Sequence, residues 1–312
     1  VGSALNGMDA FRIAMDNYVN KGPLKVSPYL LPNLCANLPS GKAGMALKFS
    51  GPIFSPQGAC ASGNYAVGLG ARMIRDGDCD FVLAGGVDTS LVPEIIHGFE
   101  NMNATIKILP GDRAHDDAGQ ASRPFSIDRK GFVLSEGAGV LVLAPEEKLS
   151  LYGLKPKAEV LGVGWSSDAY HFTRPNPDTV TRAIREAIDD AALSPEDIQY
   201  VNTHGTSTPR GDSMEVECLK RVFGGHLEKM PISSNKSQIG HTLGGAAAIE
   251  GALSIEAMQQ GVILPTINHI PDPAFEGIDV VPNETRKMPH ELFLSNAFGF
   301  GGTNCCIVFG GV

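Results

Sequence analysis

Four residues far apart along this chain carry side chains suited to acyl chemistry. Cys60 follows Gly58 and Ala59 and opens a run of very small residues, GACASG, that reads as the start of a helix. A thiol placed there faces unpaired N–H groups and the positive end of the helix macrodipole. Both favour thiolate, the nucleophilic form of cysteine. The dipole offers about 0.3–2 kcal/mol, or roughly 0.2–1.5 pKa units. An ordinary thiol is only slightly ionised at neutral pH, so a partner base or a reactive substrate is expected elsewhere. Taken alone, Cys60 fits a small buried core residue better than a nucleophile.

The other three residues sit in segments of one design, in which a buried strand ends in a polar residue set among Gly, Ser and Thr. VNTHGTSTPRGD (201–212) holds His204, and SSNKSQIGHTLGG (233–245) holds Lys236 and His241. SNAFGFGGTN (295–304) is a glycine-rich turn around Phe300. In α/β folds reactive groups gather at the carboxyl ends of strands, which would let two imidazoles and an ammonium converge on Cys60. A single histidine in such a turn is more often a hydrogen-bonded core residue.

The elements that would position them alternate. Ala66, Leu69, Met73 and Ile74 mark one face of a helix after Cys60, ending before Gly77. A possible helix spans 8–19. FVLAGGVD (81–88) and GVLVLAP (139–145) read as buried strands. The polar stretch 101–123 reads as a long surface excursion. Further on come a strand at 158–166, an amphipathic helix at 178–192, short strands at 200–203 and 232–234, helices at 212–223 and 243–260, and a final strand pair. Strands alternating with helices argue for α/β layers.

A chain of 312 residues with 43% apolar content can bury a large core, and its net charge of −9 without any basic run argues against nucleic-acid binding. The six cysteines show no paired spacing, so neither a metal site nor a disulfide framework is expected, and a reducing cytoplasmic setting fits. No apolar run reaches membrane-spanning length.

Taken in order, GACASG, VNTHGTSTPRGD, SNKSQIGH and SNAFGFGGTN resemble the motif set of β-ketoacyl-acyl carrier protein synthases of the KAS II type. ASRPFSIDRKGFVLSEGAG (121–139) and SSDAYHFT (166–173) are similar to that family as well, and the likeness runs from first residue to last. The resemblance implies an α/β fold of the thiolase-like five-layer αβαβα kind with two pseudo-duplicated halves. Residues 1–152 would form an N-terminal half carrying the nucleophile, and 153–312 a half carrying the His/Lys/His set and the glycine-rich turn. Family members begin with a further strand–helix block that would precede Val1. The N-terminal half is therefore expected to be incomplete, and residues 1–312 alone are not expected to fold to an active enzyme.

The resemblance also assigns roles. Cys60 would take an acyl group from acyl carrier protein, and malonyl-carrier protein would lose CO2 and attack that thioester, elongating a fatty acid or polyketide chain. His204 and His241 would stabilise the enolate, and Lys236 would set the local charge. The N–H groups of Cys60 and Phe300 would form the oxyanion hole. Phe298 corresponds to a gate, Thr206 and Thr208 to the pantetheine channel, and Leu5, Ala59 and Phe99 to the acyl pocket. Asp212 and Glu250 match buried network carboxylates. No metal or resident cofactor is implied, and the partners would be acyl carrier protein and a second copy in a homodimer.

The chain departs from the family at Pro56-Gln57-Gly58, where small residues are usual, and in the longer stretch 100–120. Arg113 and Lys107 are the candidates there for gripping the carrier protein. Two rivals are weighed, and Cys60, His204, Lys236 and His241 together argue against the first as the second histidine in GHTLGG argues against the second. A chain-length-factor-like partner subunit in a heterodimer would lack the nucleophile, and a thiolase-like enzyme would act on coenzyme A esters.

Overall fold

The computed structural model describes residues 1–312. Three helices open the chain, α1 (Met8–Lys21), α2 (Leu30–Leu34) and α3 (Leu38–Leu47). A 3-10 turn at Ala59–Ala61 then leads into α4 (Ser62–Arg75), β1 (Val82–Asp88), α5 (Pro93–Asn101), α6 (Arg113–Asp116), β2 (Gly137–Leu143) and α7 (Glu146–Leu151). The second half begins with β3 (Glu159–Ser167), α8 (Pro177–Asp190), β4 (Tyr200–Asn202), α9 (Pro209–Phe223) and β5 (Ile232–Ser233). It continues with α10 (Lys236–Ile239), α11 (Ala246–Gln259), β6 (Val262–Ile263), β7 (Arg286–Lys287), β8 (Leu292–Gly299) and β9 (Thr303–Gly310).

These elements stack in layers. A five-stranded sheet of order β3-β9-β8-β4-β5 lies at the centre, and β1 pairs with β2 in a second, two-stranded sheet. Between the sheets run α4 and α11, and α8 and α9 cover the far face of the central sheet. A helix placed between two sheets must be apolar all round. In α11, small and apolar residues such as Ala246, Ala247, Ala248, Gly251, Ile255 and Met258 are buried over more than half of its circumference, while Glu256 and Gln259 face outward.

Local chemistry explains α8. Its N-cap Asn176 accepts the Asp178 N–H at 3.1 Å, Pro177 opens the first turn, and Asp178 suits the positive end of the dipole. Val180, Ala183, Ile184, Ala187 and Ile188 then form one buried stripe. That stripe lies directly on β3, because a Cβ at Gly162 or Gly164 would fall 2.2 Å from the Ala187 carbonyl oxygen or 2.0 Å from that of Ala183.

Two sequence expectations need correction. The stretch 139–145 is not a buried strand throughout: burial in β2 alternates, and Val140 and Val142 stand 41% and 69% exposed. One face of the β1–β2 pair rests on α4 and α11 while the other faces outward. The excursion at 101–123 also turns inward at its end. Arg123 and Asp112 are both almost wholly buried and joined at 2.7 and 2.9 Å, with Lys130 adding a bond at 2.6 Å. The Arg123 hydrogen bond holds the Asp112 carboxyl well below the usual carboxylate range. A buried ion pair reads as surface polarity when only residue types are seen.

The order of the central sheet decides what comes next. β4 runs parallel to both β8 and β5, so the carboxyl ends of three adjacent strands lie side by side. Those ends lead into the turns holding His204, Lys236 and Phe300.

Gly164→Ala is expected to lower stability by about 1–3 kcal/mol or more. The check is a fall in the denaturant midpoint; an unchanged midpoint would show that α8 does not press on β3 at this glycine.

Candidate active site

Cys60 sits in the 3-10 turn ahead of α4, 8% exposed. The turn is locked: Ser62 Oγ accepts the Gly58 N–H at 2.9 Å and donates to the Ala59 carbonyl at 2.7 Å. Ala59 adopts φ +48, a strained value for a residue with a Cβ. The turn abuts the β8–β9 hairpin closely enough that a Cβ at Gly299 would lie 2.2 Å from the Gly58 carbonyl oxygen. Thr303 Oγ1 donates to that same oxygen at 2.8 Å. As a result the backbone N–H groups of Phe300 and of Cys60 itself both bear on the sulfur.

The thiol is nevertheless not activated by its place at the helix start. Burial pushes it up to about 12, and the Asp88 charge adds to the shift. The Lys236 charge and the two N–H groups oppose it without overcoming it. The expectation of a dipole-favoured thiolate is therefore corrected: desolvation, which can exceed three pKa units, outweighs a dipole worth about one.

His204 follows β4 directly, and His241 follows α10 and the turn at Gly240. Their rings are 5.7 Å apart and nearly perpendicular, at 86°. Phe298 packs on His204 at 5.4 Å and Phe132 on His241 at 5.1 Å. In both, Nδ1 is buried without a partner, which leaves Nε2 as the ring nitrogen open to the cavity. Burial, and then the Lys236 charge, hold both well below the ordinary histidine range, so both are neutral at pH 7. Lys236 itself lies behind them, its Nζ at 2.7 and 2.8 Å from the two oxygens of Glu250. Burial raises Glu250 to about 7 against the pull of that ammonium.

A cavity of about 980 Å3 collects these groups. Cys60, His204, His241 and Phe300 line it, as do Thr206, Thr208, Phe298 and Phe99. Thr206 and Thr208 are joined through their hydroxyls at 3.0 Å. Leu5 and Ala59 are not among the residues that line this cavity. The Leu5 backbone is tied to Asp88 and Ser90, and the Ala59 carbonyl accepts from Ser62 within the turn. Asp212 accepts the Phe125 N–H at 2.8 Å and lies 3.6 Å from Arg129; burial raises it to about 7. Arg113 is bound to Asp128 and the Asn268 carbonyl, so it is not free to grip a partner. Lys107 is exposed and bonded to Asn103 at 2.9 Å.

Two residues escaped the sequence reading. Glu215 accepts the His204 and Gly205 N–H groups at 2.8 Å each; its spacing from Asp212, one turn of α9, was the available signal. Asp88, at the end of β1, accepts from Ser3, Ala4, Leu5 and Gly244 at 2.6–2.9 Å. It thereby ties the chain's start to the loop that carries His241.

Residues 1–148 match the family model for the beta-ketoacyl synthase N-terminal domain, and 157–269 match that for its C-terminal domain. The chain is 38% identical over 312 residues to 3-oxoacyl-[acyl-carrier-protein] synthase 2 of Staphylococcus aureus, covering 99% of this chain and 75% of that one. It belongs to the β-ketoacyl synthase family. Among solved structures, a beta-ketoacyl synthase from Burkholderia phymatum superposes with a TM-score of 0.91 at 35% identity, over 100% of this chain and 74% of that one. A type II PKS acyl-carrier protein in complex with its ketosynthase gives 0.93 at 29%, over 100% and 77%. The α/β layers of this synthase are thus those of the thiolase-like ketosynthases.

Because burial pushes the synthase's Cys60 thiol up to about 12, its alkylation by iodoacetamide is expected to rise about tenfold per pH unit from 7 to 10, with no plateau near 9. At fixed pH, Lys236→Met should slow it and Asp88→Asn speed it. A plateau below pH 9 would show an activated thiolate. Glu250→Ala strands the Lys236 charge and is expected to cost about 3–5 kcal/mol in denaturant unfolding; a loss below about 1 kcal/mol would show the pair to be solvated.

Proposed function

We propose that this synthase condenses a Cys60-bound acyl group with a malonyl unit carried on acyl carrier protein, elongating a fatty acid or polyketide chain by decarboxylative Claisen chemistry. The observation that carries the reading is one cavity holding the Cys60 sulfur, two N–H groups aimed at it, and two neutral imidazoles with Nε2 open to the same space.

In the first step the sulfur adds to the donor thioester, the carrier thiol leaves with the proton from Cys60, and the acyl group stays on sulfur. The N–H groups of Cys60 and Phe300 receive the oxyanion. The malonyl thioester then sheds CO2, and the electrons of the broken C–C bond become an enolate. A neutral imidazole carries one N–H; placed on Nε2 of His204 and His241, those protons face the developing enolate oxygen. The enolate carbon attacks the Cys60 thioester, and sulfur departs as thiolate and takes a proton from solvent. No resident metal or cofactor enters these steps.

Lys236, held by Glu250, supplies a fixed positive charge behind the imidazoles that keeps them neutral and favours each anion formed. Thr206 and Thr208 line the approach, Phe298 stands over His204, and Asp212 holds the turn near Phe125. We assign the nucleophile to the half 1–152 and the His/Lys/His set to 153–312. Homodimer formation is supported by exposed Phe11, Met15, Tyr18 and Leu31 on α1 and α2, and a cytoplasmic setting by six free cysteines. Cys60 argues against a non-condensing partner subunit.

Cys60→Ala is expected to abolish acyl transfer while malonyl decarboxylation persists. His204→Ala and His241→Ala should each cost roughly 10²–10³ in condensation, read by mass spectrometry of the product carrier protein. Retained condensation in either histidine variant would contradict the assignment. Since both imidazoles are neutral well below pH 6.5, condensation should show no fall centred there; such a limb would mean that one of them titrates in the ordinary range.

A further inference from the structure

Asn64 lies one helical turn beyond Cys60 on α4 and is 1% exposed. An Asn near a helix start ordinarily serves its own backbone, as a cap or a turn. Asn64 does not: the N-cap of α4 is Ala61, and no side chain caps that end. Its Nδ2 donates instead to the Ser295 carbonyl and to the Cys305 carbonyl, at 3.2 Å each. A side-chain amide nitrogen carries two N–H groups, so both are engaged, on partners 231 and 241 residues away in the chain. One partner belongs to β8 and the other to β9. Phe300 stands midway between them in sequence, in the turn of that hairpin. The helix that follows the nucleophile is thus joined to both legs of the hairpin that carries the second N–H donor to the sulfur.

The next residue reaches the same hairpin by another route. The Tyr65 ring presses on Gly58, where a Cβ would stand 2.8 Å from Tyr65 Cδ2. Gly58 is the residue whose carbonyl accepts from Thr303. On its other side Tyr65 stacks on Trp165, with ring centroids 6.2 Å apart and planes at 11°. Trp165 Nε1 in turn donates to Cys305 Sγ at 3.0 Å. Neither Asn64 nor Tyr65 lines the cavity that holds Cys60. Whatever they contribute to the chemistry must therefore pass through the backbone they hold. The two imidazoles stand on other turns, after β4 and after α10.

We propose that Asn64, supported by Tyr65, is a positioning residue for acyl transfer: it fixes the spacing between the Cys60 and Phe300 N–H groups that receive the oxyanion. This rests on the acyl-transfer reading of Cys60. A loosened hairpin moves one oxyanion donor while leaving His204 and His241 in place, so the acyl-transfer step loses rate and decarboxylation of the malonyl unit does not.

The test compares the full chain with its Asn64→Leu variant, which removes both N–H groups and keeps a side chain of similar shape. Acylation of Cys60 by hexanoyl-N-acetylcysteamine is followed by mass spectrometry, decarboxylation by CO2 release from malonyl-N-acetylcysteamine, and the hairpin by amide hydrogen exchange of residues 295–305. In the variant kcat for acylation should fall roughly 10–100-fold at nearly constant KM. Decarboxylation should persist, and faster exchange should be confined to the hairpin. Equal losses in both reactions, or exchange that quickens along the whole chain, would show a general packing role and overturn the proposal, as would unchanged acylation. Should Asn64→Leu fail to fold, Tyr65→Ala carries the same contrast with a smaller loss. The two ideas fail separately. No acylation of Cys60 in the parent protein would sink the acyl-transfer reading; exchange of 295–305 in the variant then decides the clamp, which stands if the hairpin quickens and falls if it does not.

Discussion

The catalytic geometry depends on backbone meeting backbone where no Cβ can intervene. Gly58 and Gly299 join the nucleophile turn to the final hairpin, and a Cβ at Gly299 would stand 2.2 Å from the Gly58 carbonyl oxygen. A second seam brings Gly86 of β1 against the Gly244 carbonyl, where a Cβ would stand at 2.1 Å. The first seam places the Phe300 N–H at the sulfur, and the second fixes the loop after His241 against the strand that ends in Asp88. Glycine weakens elements in isolation; here its missing side chain lets groups from the two halves share one cavity.

Within that cavity the charges are arranged against free ionisation. The thiol and the two imidazoles rest uncharged, so the Lys236 ammonium, held by Glu250, and the Asp88 carboxylate are the charges that act on them. Each group is poised to respond to charge that appears during reaction, which is where preorganised donors act most strongly. The absence of an activated thiolate follows from the same desolvation that keeps the imidazoles neutral. Reactivity is thereby tied to the arrival of an electrophilic thioester beside two N–H groups.

Much of this was legible in residue order. The small residues after Cys60, the strand-end turns at His204, Lys236 and Phe300, and the alternation of strands with helices all follow from patterning that single residues display. What stayed hidden depends on pairing across the fold. Arg123 and Asp112 look like surface polarity until each is seen as the other's buried partner. Val140 and Val142 look like core until the outer face of β2 is seen. A helix start can be inferred from sequence and a depth of burial cannot, so the upward shift of the Cys60 thiol shows only in the fold.

The most direct measurement is a crystal structure of the protein with an acyl group trapped as a thioester on Cys60. The account predicts the thioester oxygen at about 2.7–3.1 Å from the N–H groups of Cys60 and Phe300, with Nε2 of His204 and of His241 facing the space beside the acyl carbon. An oxygen turned away from both N–H groups, or imidazoles directed elsewhere, would contradict it.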